Sequence, residues 1–420
     1  MPTQVARVGI GTTIAAMCLA AVSAQRPADA PTSVALYAGV GEELITFAVD
    51  VERATLSRQS SLMLPGFVQE AWASPDGAFL YVAWSNGGSS YTGSGVEPRG
   101  DQHGITAFRV DARSALRQQG PPASLRSRPI HITGDGPGRY LLSAYNDPSG
   151  VSVHAINADG GVGAEVPQRA SLDAGIYAHQ VRVLPSNGAV VVVTRGNEAT
   201  ASSREDPGAL KVFRYDAGKL SDEISIAPQN GLGFRARHLD FHPTRPWVFL
   251  TIEAQNRLQV YRRSDVGLEP TPAFSASTLS DGGGVRPGQT ASTVHVHPSG
   301  QFVYVGNRGA PAGGRNEIAV FRIDETTGEP SLIQNVDTRG FTPRTFALDP
   351  SGRLLVVGNQ NSVSVSEGGS TKLVPASLAV FRVGSNGTLT FVQRYDVAVA
   401  RKPLWWMGIV APRRQSATEK

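Results

Sequence analysis

The 420-residue chain has a single cysteine, Cys18, and only four methionines and five tryptophans. One thiol makes no intrachain disulfide. Its place near the N-terminus leaves the rest of the chain without a thiolate nucleophile or a cysteine metal centre. Charge is sparse as well: Asp, Glu, Lys and Arg make up 18% of residues and the formal net charge is +4. The arginines are dispersed, with no basic run or basic helix, so no nucleic-acid partner is expected. No apolar run reaches the ~20 residues that span a bilayer. A P-loop, a dinucleotide fingerprint and a G-x-S-x-G elbow are all missing from any strand–turn–helix context, and no cofactor is expected. What abounds is glycine, 46 residues, and proline, 28 residues, the composition of a chain rich in tight turns and short strands.

The first residues have the layout of a signal peptide. Met1 to Arg7 is a short basic leader, Val8 to Val22 is apolar, and Val22-Ser23-Ala24 gives small residues ahead of Gln25. The expected organisation is a signal peptide over 1–24, a linker over 25–33, one domain over 34–411 and a polar tail over 412–420. On this reading Cys18 leaves with the leader, and the mature protein is exported to the periplasm or secreted. It is then free of the membrane and is expected to be a monomer.

One strand pattern recurs through the chain. An apolar-x-apolar-aromatic run appears as LITF ending at Phe47, ITAF at Phe108, VSVH at His154, LKVF at Phe213, LQVY at Tyr261, IAVF at Phe321 and LAVF at Phe381. A second pattern, a Pro/Gly turn followed by an apolar strand, alternates with it: SPDGAFLYVA, GDGPGRYLLSA, LPSNGAVVVVT, HPTRPWVFLT, HPSGQFVYVG and DPSGRLLVVG. A unit of roughly 50 to 60 residues with this content is the size of a four-stranded propeller blade with a decorated loop. The expected fold is therefore all-β, a seven-bladed β-propeller of four-stranded antiparallel blades. The second pattern falls one copy short, which predicts that VALYAG at Val34–Gly39 and WWMGIV at Trp405–Val410 share the closing blade. Stretches such as 86–102, 196–208, 281–289 and 362–377 read as loop insertions.

In order and separation, RHLDFHP, VHPSGQFVYVGNRG, IAVFRIDETTGEP and TPRTFALDPSGRLLVVGNQNS resemble the blade signatures of the seven-bladed propeller lactonase family. That family includes the cycloisomerase-type 6-phosphogluconolactonases and the 3-carboxy-cis,cis-muconate lactonising enzymes. The likeness extends over nearly the whole chain after the leader. It implies a site at one mouth of the central channel that draws a His, two Arg and a Glu from successive blades. These fall on His179 of YAHQVRVLP, Arg237 of ARHLDFHP, Glu253 of LTIEAQN and Arg308 of VGNRG. Two neighbouring positions depart from the family pattern. Tyr177-Ala178-His179 stands where His-x-His is common, and Thr194-Arg195-Gly196 where Asp-Leu-Gly is common.

Opening a lactone takes a base to activate water, a positive group for the developing oxyanion and an anchor for any anionic substituent. His179 suits the base near neutral pH, and Glu253 either orients it or exchanges a proton itself. Arg237 and Arg308 present planar charged forks that match a carboxylate, a phosphate or the acyl oxygen. His238 and Arg344, the latter at the position of another blade that corresponds to Arg237, are expected to bind substrate. Taken singly, a Glu after a strand faces solvent and an Arg beside a turn holds a carbonyl; only the ordered set makes a site. His295 and His297 have the i, i+2 spacing of a ligand pair, but His297 and His242 both open repeat turns and no third ligand is near, so no metal is expected. The expected activity is hydrolysis of a small anionic sugar-acid lactone. The alternatives are a muconate-type cycloisomerase and a non-catalytic propeller that binds a ligand or protein.

Overall fold

In the computed structural model, seven antiparallel sheets stand around one axis, and the residues described are Met1, 33–87, 99–168, 171–282, 285–310, 313–367, 369–399 and 402–411. The chain divides between Ala30 and Pro31 into two units, and the second of them carries the sheets. Apart from Met1, the expected leader and Cys18 lie outside the described residues, as do the linker up to Ser33 and the tail from 412. Strands run from Ser33 to Val410.

Each blade is a meander in which the first strand lines the axis and the fourth faces outward. The inner strands are Phe67–Ala73, Pro129–Gly134, Ala178–Val183, Ala236–Phe241, Gln289–Val296, Pro343–Leu348 and Leu404–Val410. The aromatic-ended runs form the third strands and the turn-led runs the second. The closing blade joins the chain ends as expected, with Leu36 opposite Ile409 and Ala38 opposite Met407. Two details differ from the simple repeat. The outer edge of the first complete blade is split into Leu116–Gln118 and Ala123–Ser124. The stretch expected as a loop over 362–377 folds into a hairpin, Val363–Glu367 with Ser370–Val374.

Strand alternation explains why the ring holds. In the run AVVVVT, Val190 and Val192 pack toward the preceding blade, while Ala189, Val191 and Val193 pack toward the next. Both faces of a blade are thus buried, and each hydrophobic cluster belongs to a pair of adjacent blades. One of them seats Leu354, Val356 and Val380 against Leu36, Ile45 and Val49, joining the end of the chain to its beginning.

Inner strands share one direction, so equivalent positions form rings along the channel. Six residues before the turn proline stand His179, Arg237 and Arg344. Five before stand Glu70, Gln180, His238, Thr293 and Thr345, and three before stand Arg182, Asp240 and His295. Most inner strands carry a β-bulge near their start, as between Ala178 and Gln180 or between Ala236 and Leu239. A bulge re-aims side chains locally and makes room for polar groups at the strand head.

Candidate active site

Three consecutive blades deliver a charged residue from the same place, ten positions after the turn proline: Arg195 after Pro185, Glu253 after Pro243 and Arg308 after Pro298. Each lies at the far end of a second strand, beside the head of its inner strand. The Glu253 backbone is fixed there, its N–H donating to Arg235 O at 2.7 Å and its carbonyl accepting from Ala291 N–H at 3.0 Å.

Glu253, at 6% exposure, is buried in a cage of arginines. Arg195 Nε donates to Oε2 at 2.5 Å, Arg308 Nη2 donates to Oε1, and Arg237 Nε lies 3.5 Å from Oε1. Burial alone would raise the carboxyl pKa, but Arg308, Arg195 and Arg237 outweigh it and hold the group far below the usual carboxylate range. Arg237 is almost wholly enclosed, at 1% exposure. Burial, then the charge of Arg308, presses on its guanidinium, and Glu253 opposes both. Arg195 also reaches outward to Glu198 at 2.7 Å and sits 5.6 Å from the centre of the Tyr177 ring.

His179 lies at the inner edge of this cluster. Its ring stacks near Tyr177 at 6.2 Å and meets the edge of His238 at 5.0 Å, and its Nδ1 is buried without a hydrogen-bond partner among the described residues. Burial and then Arg237 push its pKa well below the ordinary histidine value, so the ring is neutral at pH 7. Tyr177 holds φ of 59°, an uncommon backbone state for a bulky residue, with its carbonyl accepting from Arg195 N–H at 2.9 Å. His238 is one step further along the channel, with Nδ1 3.3 Å from Arg237 Nη1 and 3.2 Å from Thr293 Oγ1. Arg344 stacks on the Trp405 ring, 3.5 Å from its centre, and no carboxylate pairs with it among the described residues.

All four residues expected at the mouth are therefore brought to one place, Arg237 and Arg308 on Glu253 and His179 within their field. Arg195, a departure from the family pattern, completes the cage. Its position ten residues after a turn proline, shared with Glu253 and Arg308, is the signal that could have found it. His295 and His297 do not act together: His295 Nδ1 is 3.7 Å from Asp240, and His297 Nε2 contacts Gly352 O at 2.9 Å.

A model of the family described as lactonase, 7-bladed beta-propeller, matches residues 32–367. The 6-phosphogluconolactonase of Serratia proteamaculans is 28% identical over 344 residues, covering 81% of this chain and 88% of the relative. The Bacillus subtilis 6-phosphogluconolactonase is 24% identical over 362 residues, 81% of this chain and 93% of its own. The structure of a periplasmic gluconolactonase from Pseudomonas aeruginosa superposes with a TM-score of 0.67 at 21% identity, covering 90% of this chain and 99% of that one. Propeller, closing blade and matched signatures agree: the chain belongs to the seven-bladed β-propeller lactonase family and is a lactonase.

Proposed function

We propose that this lactonase hydrolyses a small sugar-acid lactone bearing an anionic substituent, at the end of the channel where Glu253 meets its arginines. The observation that carries this reading is the charge balance. Arg195, Arg237, Arg308 and Arg344 gather where, among the described residues, Glu253 and, outside, Glu198 are the carboxylates that pair with them. A buried positive surplus favours an anion and the oxyanion of a tetrahedral intermediate. Neutral His179 takes the proton of the attacking water as its oxygen bonds to the acyl carbon. The same proton then passes to the ring oxygen as the C–O bond breaks, giving the hydroxy acid. Glu253, held ionised with both carboxylate oxygens engaged by Arg195 and Arg308, is not free to take this proton; it fixes Arg237 and Arg308 where the oxyanion forms. Arg344, laid on Trp405, anchors the anionic substituent, and His238 keeps the Arg237 fork in place.

The leader over 1–24 is proposed to direct export, so that the substrate is a lactone met outside the cytoplasm. Among the described residues no helix is long and apolar enough to cross a membrane.

Acid release in a pH-stat tests the reading with phosphorylated and plain aldonolactones of equal ring size. The phosphorylated lactone is expected to be the better substrate, and His179→Ala to lower kcat by about 10²–10⁴-fold. Arg344→Met is expected to raise KM for the phosphorylated lactone while leaving that for the plain one in place. Preference for the plain lactone, or release no faster than spontaneous hydrolysis, would overturn it.

A further inference from the structure

Beyond the His179 and Arg237 ring the axial channel widens into a cavity of about 380 Å³. Its walls begin at the middle of the inner strands, with Glu70, His131, Gln180 and His238, and run on to their ends, and Pro298 and Pro350 of the turns stand at its rim. Antiparallel pairing sets Ala236 opposite Ile252 and Phe241 opposite Val248, so Glu253 lies beside the strand head while the turn follows the strand tail. The cavity thus opens on the face of the ring opposite the arginine cage. It falls at the small end of the roughly 300–1,000 Å³ of ligand pockets.

Its polar groups converge but carry almost no net charge. At the outer end Arg182 Nη2 is held by Asp240 Oδ1 at 3.1 Å, and Asp240 Oδ2 accepts from Val296 N–H at 2.9 Å with His295 alongside. At the inner end Glu70 accepts from Ala71 N–H at 3.3 Å and from Trp406. Burial pushes its carboxyl up to about 8 against the pull of Arg344 and Arg182, so at neutral pH it is an acid with a proton to donate. His131 is 91% buried, at 9% exposure, with Nδ1 unpartnered among the described residues, and burial followed by Arg182 holds it neutral. His238 is neutral for the same reason, burial first and then Arg237. Trp406 and Met407 provide an apolar wall.

We propose that this cavity is a second small-molecule site, separate from the lactone-opening end, that takes an uncharged polyhydroxyl compound of about hexose size. Hydroxyls find paired donors and acceptors in Glu70, His131, His238 and Gln180, and the C–H face of a sugar or polyol lies against Trp406. A free anion is disfavoured, because the one guanidinium lining the cavity among the described residues, Arg182, is already matched by Asp240. Convergent polar groups with displaced pKa values in an enclosed pocket mark a site.

Calorimetric titration of the full chain with D-glucitol and D-glucose, neither of which is hydrolysed, tests the proposal, with gluconate as the charged comparison. Glucitol is expected to bind, and gluconate more weakly. Ala347 lines the cavity, and Ala347→Phe fills it, which is expected to weaken glucitol binding by at least about tenfold. Arg308→Ala, at the other end, is expected to leave it unchanged. Glu70 lies in the field of Arg344 and Arg182, is hydrogen-bonded by Trp406 and shares the cavity with His131, His238 and His295, and it donates only while protonated. Binding is then strongest below about pH 8 and falls as pH rises through that value. Glu70→Gln, which keeps a donor at every pH, flattens the profile, and this arm stands even if Ala347→Phe does not fold. No glucitol heat, tighter gluconate binding, insensitivity to Ala347→Phe or loss with Arg308→Ala would each overturn the proposal.

Discussion

Glu253 is a structural counter-charge first. Its removal leaves Arg237, at 1% exposure, beside Arg308 and Arg195 without the one carboxylate that, among the described residues, pairs with all three. Breaking a buried pair in this way costs about 3–5 kcal/mol, so Glu253→Gln is expected to lose that much in urea unfolding at pH 7. Arg195→Gln costs less, since Arg195 repels Arg237 as well as holding Glu253. The folded pKa of Glu253 is depressed, so its contribution is present above the unfolded value near 4.3 and fades as pH falls toward the folded one. The gap between wild type and Glu253→Gln should therefore narrow between pH 5 and pH 3; a constant gap would mean that the carboxylate charge is not what stabilises the cage. His179, Arg237, Glu253 and Arg308 are legible in the sequence because the family signatures fix their places. Arg195 is less so, because its own segment departs from them. Glu70 is illegible for a physical reason: in FVQEAWA it reads as the wet face of an ordinary strand, and only ring closure turns that face into a cavity.

The turn that follows each inner strand also works between blades. His242 Nδ1 accepts N–H groups of Thr244 at 3.1 Å and Arg245 at 2.9 Å, so Nε2 carries the proton and donates to Gly300 O of the next blade at 3.0 Å. His297 repeats this, Nδ1 accepting from Ser299 N–H at 3.1 Å and Nε2 donating to Gly352 O at 2.9 Å. The sequence shows these histidines as repeat features but hides their partners, which lie in the next blade. Gly300 has φ of 77°, and a Cβ there would strike the His242 ring. Gly300→Ala should thus cost more than backbone strain alone, and His242→Ala about 1–2 kcal/mol for the lost bond. Combined, the two should cost less than their sum, because without the ring the new methyl has space. Strict additivity in thermal unfolding would refute the contact.

Closure is where the whole molecule depends on its last described strand. Seven aromatic-ended strands at blade-sized intervals make the propeller legible, whereas the hairpin over 363–374 is not, because its polar run STKLV lacks a buried face. The last strand, Leu404–Val410, pairs with Ser33–Val40 and also seats Trp405 under Arg344 and Trp406 beside Glu70, so both ends of the channel rest on it. Leu404, Trp405, Trp406 and Met407 are each at least 93% buried, none exceeding 7% exposure. At roughly 1.5–3 kcal/mol per buried side chain, their loss approaches the whole stability of a domain. A chain ending at Pro403 is expected to bare the edge of Val34–Val40 and to associate through it, seen as dye-binding apolar surface and oligomers in sedimentation. Moving the chain ends should be harmless where removing the strand is not. A circular permutant that links 411 to 33 and opens within 199–204, an exposed stretch without strands, keeps every pairing and should sediment as the wild type does with lactonase activity intact. If the permutant fails as the truncation does, chain order and not ring closure is what the fold requires.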